Sequence, residues 1–382
     1  MQTMFNLCKP LPALIFLLLI SANSHAHPPA GLQFIQVLKD QINGVDGLDN
    51  PRNVVASHDN RKVFITSADD NAFAVFNIGN DFKLHFSQVF KNTDSNINGL
   101  EGATGLVSVN HDNLIITSGF YDGALALFTP HKDQYQLTQT LSDNLGYDRV
   151  FDSDKPTKER DKLGILGPWE VVATRDNKQL FVAGYMSNAL SVWEITADKQ
   201  LHFKQFLRNS GSLITDLGKP IGLALSPAND ELYVLGFDAG QIAIFNRDQQ
   251  GELSAKQLIQ NEVNGISNLI NPQKIVVSPD GRLLFVACAG SSAILVFEKT
   301  ANEQFQLIQT VTTDDVQGGL EGASSLALNA KGDTLYAAGE AGNGLLTFEI
   351  TPAGKLTLKT KLPTAGEDEL KNIASIYISP DN

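Results

Sequence analysis

The chain has 382 residues, with 29 Lys or Arg against 42 Asp or Glu, a formal charge of −13. That balance argues against a basic, phosphate-neutralising surface, so no nucleic-acid partner is expected. At 42 % hydrophobic and 19 % charged, the chain can bury a large core and is not compositionally disordered.

Residues 1–26 read as a signal peptide. Lys9 is the only charge before the apolar run Leu11 to Ile20, which is too short for a membrane span of roughly 20 residues. Small residues at Ser24 and Ala26 then suit cleavage after Ala26, leaving residues 27–382 as a single exported domain, periplasmic or secreted. No later run is long enough to span a bilayer, so no membrane span is expected. Cys8 leaves with the signal, and Cys288 remains without a disulfide partner as a small hydrophobe in a strand-like run.

An internal repeat organises the rest. Apolar segments end in an aromatic at Phe76, Phe128, Trp193, Phe245, Phe297 and Phe348, at intervals of 52, 65, 52, 52 and 51 residues. Twelve residues before each stands Phe64, Ile116, Phe181, Tyr233, Phe285 or Tyr336, and the interval never varies. Short β-branched and aromatic runs bounded by turn residues are strands. The first two of each unit meet at turns such as Ser278-Pro279-Asp280-Gly281, where Pro presets φ and Gly or Asn accepts the left-handed position. Four antiparallel strands per unit, with no helical periodicity, predict an all-β fold, a β-propeller of four-stranded blades.

The ends of the chain carry pieces of one more unit. Leu32 to Leu38 matches the fourth strands Leu84 to Phe90 and Leu201 to Leu207, and Ile376 to Asp381 matches a first strand and its turn. The expectation is six complete blades plus a split, incomplete seventh, its first strand from the C-terminus and its fourth from the N-terminus. Its two middle strands would fall beyond Asn382, so the sequence reads as truncated there. A monomer is expected, with strand-edge dimers the consequence if the open blade recruits a second chain.

The unit of first strand, Ser-Pro-Asp-Gly, Leu-Phe-Val-Ala and an aliphatic-x-Val-Phe run, best seen over Ile275 to Phe297, resembles the YVTN and lactonase-like family of seven-bladed propellers. The resemblance covers Leu32 to Asn382 and implies either a lactonase acting on sugar lactones or a periplasmic or surface binding protein. The run Val63-Phe64-Ile65-Thr66 departs from the Gly-Thr-Tyr-Thr strand of the sugar-lactonase branch, which favours binding over catalysis.

First strands line a propeller's channel, and the loops between blades rim its mouth, where function usually sits. Counted back from the anchors, Asp49, Glu101 and Glu321 share one level, and Arg52, Trp169 and Gln273 another, with Glu170 beside Trp169. Carboxylates, a cation and an aromatic on one mouth could bind a polar ligand or act as acid and base. The one irregular connection, Ser142 to Gly164, carries Asp143, Asp148, Asp152, Asp154 and Asp161 among lysines and Arg160, without calcium-loop spacing, and reads as a mobile charged loop. No histidine is spaced for zinc, and no haem, phosphate-loop or tryptophan-docked quinone signature occurs. No cofactor is therefore assigned, a divalent cation (calcium or magnesium) being the open alternative. The leading reading is an exported module binding a small polar ligand or a protein partner at the channel mouth. Its rival is a lactone hydrolase using Glu101, Glu170, Glu321 and Arg52, with or without that cation.

Overall fold

A computed structural model describes residues 14–16, 32, 35–145, 160–342, 344–362 and 373–378. The predicted runs form six four-stranded antiparallel sheets, each a meander in chain order. Blade one holds β3 (Pro51–Ala56), β4 (Lys62–Ser67), β5 (Ala72–Ile78) and β6 (Leu84–Lys91). Blade two holds β7 (Ala103–Val109), β8 (Leu114–Gly119), β9 (Ala124–His131) and β10 (Gln134–Ser142). Blade three follows with β11 (Pro168–Ala173), β12 (Gln179–Gly184), β13 (Ala189–Ile195) and β14 (Leu201–Leu207). Blade four has β15 (Pro220–Leu225), β16 (Glu231–Gly236), β17 (Gln241–Arg247) and β18 (Leu253–Gln260). Blades five and six run from β19 (Pro272–Val277), β20 (Leu283–Cys288), β21 (Ala293–Lys299) and β22 (Phe305–Thr312) to β23 (Ala323–Leu328), β24 (Thr334–Gly339), β25 (Leu345–Ile350) and β26 (Leu356–Leu362).

The turns behave as their residues dictate. Asn60, Asn177, Asn229, Gly281 and Gly332 occupy the left-handed region at the same turn position of their blades. The hydroxyls of Ser57, Thr174 and Ser278 bond the carboxylates of Asp59, Asp176 and Asp280 two residues on.

The core lies between blades. Apolar clusters join blade one to two around Phe64, Phe73 and Phe128, two to three around Ile116 and Trp193, and three to four around Phe181 and Phe245. Further clusters join four to five around Tyr233 and Phe297, and five to six around Phe285 and Phe348. Each such fully buried side chain contributes roughly 1.5–3 kcal/mol of burial. At the periphery a glutamine four residues into the fourth strand clasps the next blade by two backbone bonds. Gln88 does so at Tyr135, Gln257 at Phe305 and Gln309 at Leu356.

The same devices locate the split seventh blade. Gln36, which precedes β2 (Val37–Lys39), makes the same two bonds to Leu84 of blade one. Residues 373–378 bury Ile373 and Ile378 against blade six, while Tyr377 and Leu38 pack on the core of blade one. Among the described residues, 373–378 carry no strand pairing, whereas Leu38 lies within the paired strand β2. Of residues 1–26 only β1 (Leu14–Phe16) is described, paired antiparallel with β2; the remainder of the signal-peptide expectation lies outside the described residues.

Candidate functional site

First strands of successive blades lie side by side around the axis. In all six, the pairing with the second strand slips by a bulge near the start: between Pro51 and Asn53, Ala103 and Leu106, Pro168 and Val171, Pro220 and Gly222, Pro272 and Lys274, and Ala323 and Ser325. A bulge leaves a residue out of the ladder and re-aims its side chain. In every blade but the fourth, residues at or beside the bulge face an open axial recess. Two consecutive layers line it. Twelve residues before the second-strand anchors stand Arg52, Thr104, Trp169, Gln273 and Ser324, and one residue further on stand Asn53, Glu170, Lys274 and Ser325. Ala374 and Ser375 supply the seventh position of each layer, and Glu340 joins from the end of β24. Gly105 completes the inner layer of blade two because a side chain there would meet the Trp169 carbonyl at 2.6 Å.

The recess holds two ion pairs that cross it. Lys274 Nζ lies 3.0 Å from Glu170 Oε2, joining blades five and three. Arg52 Nη1 lies 3.2 Å from Glu340 Oε1, bridging blade one to blade six across the seventh position. The Arg52 guanidinium also sits 5.3 Å from the centre of the Trp169 ring, and that ring meets Phe120 edge-to-face at 5.6 Å. Thr104 is a structural member, its hydroxyl donating to the Pro168 carbonyl at 3.0 Å and so tying blade two to blade three.

Of the seven residues singled out from sequence, Arg52, Trp169, Glu170 and Gln273 come together here. Asp49, Glu101 and Glu321 do not line the recess. Asp49 and Glu101 each donate a backbone N–H to an aspartate of the following turn, Asp70 and Asp122, as their shared level requires. Glu321 folds back, its carboxylate accepting the Thr313 hydroxyl at 2.9 Å and the Gly319 N–H at 2.7 Å. Burial raises its carboxyl pKa, but backbone N–H groups and that hydroxyl outweigh it and hold the group below the ordinary glutamate value. Asp49 goes the other way, raised by burial and by the nearby Asp69, Asp70 and Asp40 carboxylates. Lys274 and Glu340 were missed: Lys274 stands one residue past a predicted level, and Glu340 belongs to a different strand.

One group of carboxylates among the described residues, Asp40, Asp46 and Asp70, could hold a metal ion. The Lys91 ammonium already lies 2.7 Å from Asp46 and 2.8 Å from Asp70. Burial lowers the Lys91 pKa, but its bonds to both carboxylates more than reverse that and keep it charged. At the base of the long connection, Asp143 accepts the N–H groups of Lys162 and Leu163, and buried Asp161 pairs with Arg208 at 2.6 Å. These two carboxylates anchor the loop; residues 146–159, with Asp148, Asp152 and Asp154, lie outside the described residues.

Bulged inner strands around a charged axial recess define a β-propeller of the seven-bladed class. The family model "Lactonase, 7-bladed beta-propeller" matches residues 158–368, and the chain belongs to that family. Among solved structures it is similar to a candidate 6-phosphogluconolactonase of Bacteroides fragilis, at 18 % identity and TM-score 0.65 over 89 % of each chain. It is also similar to the periplasmic gluconolactonase PpgL of Pseudomonas aeruginosa, at 14 % identity and TM-score 0.63 over 85 % of this chain and 86 % of that one. A protein of Lactobacillus plantarum aligns at 16 % identity and TM-score 0.66, over 89 % of this chain and 90 % of that one. Likeness at these identities shows the fold. No curated protein matches the sequence.

Proposed function

We propose that the protein is an exported lactone hydrolase whose chemistry takes place in the axial recess. The carrying observation is the pair of crossed carboxylate–cation contacts, Glu170 with Lys274 and Arg52 with Glu340, in one solvent-open recess beside Trp169. Lactone hydrolysis needs a base to take a proton from water and a cation where the carbonyl oxygen gains charge. Glu170 is the base: Lys274 orients its Oε2, and Oε1 takes the water proton. Arg52, whose guanidinium is held by Glu340 and Trp169, stabilises the oxyanion of the tetrahedral intermediate. That intermediate collapses by breaking the bond to the ring oxygen, which leaves as the hydroxyl of the product acid on taking up the proton from Glu170.

Family membership and two gluconolactonase-type neighbours support catalysis over a binding-only role. The apolar run at Leu11 to Ile20 and the periplasmic neighbour support export. The test is turnover of a panel of sugar and aliphatic lactones followed by acid release. The expectation is measurable hydrolysis that Glu170→Gln reduces by about 10²–10⁴-fold in kcat. Folded protein that turns over no lactone, or a Glu170→Gln variant within about two-fold of the parent, overturns the reading.

A further inference from the structure

The residue that follows each second strand is held the same way in every blade. Ala68, Phe120, Tyr185, Phe237, Ala289 and Glu340 each donate a backbone N–H to a carbonyl of the preceding inter-blade loop, at 2.9 to 3.1 Å. These are Asn50, Gly102, Gly167, Lys219, Asn271 and Gly322. The backbone therefore places six side chains at one equivalent position, and Glu340 shows that this position can reach the recess. Three consecutive blades, two to four, fill it with aromatic rings. Blades one and five fill it with alanine, so the backbone position itself does not demand a ring, although Phe237 also packs on the core cluster between blades four and five.

The three rings form an arc of half-buried aromatics. Phe120 and Tyr185 have centroids 6.3 Å apart, and Tyr185 and Phe237 are 6.4 Å apart. Trp169 joins the arc to the recess through its contact with Phe120. Polar groups are set among the rings. Lys219 Nζ lies 5.6 Å from the centre of the Tyr185 ring, the Tyr185 hydroxyl donates to Asp238 at 3.4 Å, and the Asn271 amide donates to the Phe237 carbonyl. Flat apolar faces interleaved with hydrogen-bonding groups suit a ligand that is itself amphipathic, with C–H faces and hydroxyl edges. In the recess each cation already has a carboxylate partner, so a phosphate or carboxylate on the ligand would find no net positive charge. A neutral carbohydrate meets both conditions.

We propose that the arc is a glycosyl subsite, and that the preferred substrate is the lactone of an oligosaccharide aldonic acid. The lactone ring lies in the recess, and the attached sugar stacks along Tyr185 and Phe237. This rests on the hydrolase reading above and adds the substrate's second ring to it.

The experiment compares kcat/KM for glucono-1,5-lactone with that for cellobiono- and maltobiono-lactone, in the parent and in Tyr185→Ala and Phe237→Ala, with folding checked by circular dichroism. The expected result is a preference of about ten-fold or more for a disaccharide lactone, falling at least about five-fold in each variant. Equal or better use of the monosaccharide, or a preference indifferent to both substitutions, overturns the subsite while leaving the hydrolase intact. If no lactone is turned over, the hydrolase reading falls, and Trp169 fluorescence titrated with cellobiose and glucose decides the subsite by itself. Tighter binding of the disaccharide, weakened by Phe237→Leu, upholds it, and no difference between the sugars overturns it.

Discussion

Glu231, at the start of β16, offers the sharpest test of how the blades are held together. Its carboxylate side chain is 5 % exposed and pairs with Lys256 and Lys299, which are 12 % and 19 % exposed. The Tyr233 hydroxyl donates to it as well, and Lys299 Nζ lies 5.2 Å from the centre of the Phe305 ring, so the node joins blades four and five. Glu231→Ala leaves two confined ammonium groups facing each other, with only the exposed Glu303 carboxylate 3.6 to 3.9 Å away. Removing one partner of a buried pair costs about 3–5 kcal/mol, and because both lysines keep some access to water the lower end applies, about 3. In a chain of this size that lowers Tm by roughly 6 °C, since larger domains lose about 2 °C per kcal/mol. The control is Lys204–Glu194, a pair half exposed on both sides, where Glu194→Ala should cost under about 1 kcal/mol. The node also has a pH signature. Burial raises the Glu231 pKa, but bonds from Lys256, Lys299 and Tyr233 overcome it and set the folded value below the ordinary one. A depressed folded pKa means the stabilisation is complete above the unfolded value and is lost as pH falls through the folded one. Thermal melts of the parent and Glu231→Gln should therefore lie apart at neutral pH and converge in acid below the ordinary glutamate range. A Tm loss no larger than that of Glu194→Ala, or a gap unchanged in acid, would refute the assignment.

Three further outcomes follow from other parts of the molecule. Arg52→Lys keeps the charge but gives up the flat guanidinium over Trp169, so kcat/KM in the lactone assay should fall by about ten-fold; a fully active lysine variant would show that the ring contact does nothing. Because Lys91 stands among Asp40, Asp46 and Asp70, millimolar calcium should move the parent's Tm by less than about 1 °C. In Lys91→Met the same calcium should raise Tm clearly, and a large shift in the parent would place a cation where the lysine sits. Cys288 is fully buried, and burial pushes its thiol pKa up, so that residue should resist a thiol reagent in the folded protein and react on unfolding.

The blades were legible because each strand's anchor recurs at a fixed interval, and backbone pairing depends on that interval alone. Side-chain direction was a different matter. Gln36, Gln88 and Gln205 stood in strands recognised as equivalent, yet the clasp of Gln36 and Gln88 on the next blade depends on a partner 47 or 48 residues away, on a neighbouring blade. Asp49, Glu101 and Glu321 share a level as counted, but in Glu321 the turn's own hydroxyl and N–H groups capture the carboxylate before it can reach the axis. Arg52, Trp169 and Gln273 reach it because a bulge releases them from the ladder, and nothing in residue type marks where a ladder slips. Asp161 looked like one charge among many on a solvated loop. It is buried against Arg208, a pairing across 47 residues that only the tertiary fold creates.

A repeat makes its own control for function. At the two recess layers the backbone is equivalent from blade to blade, and several blades satisfy it with Thr104, Ser324, Ser325 or Gly105, which are small and uncharged, Thr104 being bonded to blade three and Gly105 within its own blade. Arg52, Glu170, Lys274 and Glu340 occupy equivalent or adjoining positions at a desolvation cost that a partly buried ion pair recovers only in part. Packing therefore does not account for them. Nor does ring closure require charge at blades three and five, whose inner strands already have neighbours on both sides. Charges placed where the scaffold accepts serine and glycine, crossing the axis and open to solvent, are what the proposed hydrolase requires of the recess.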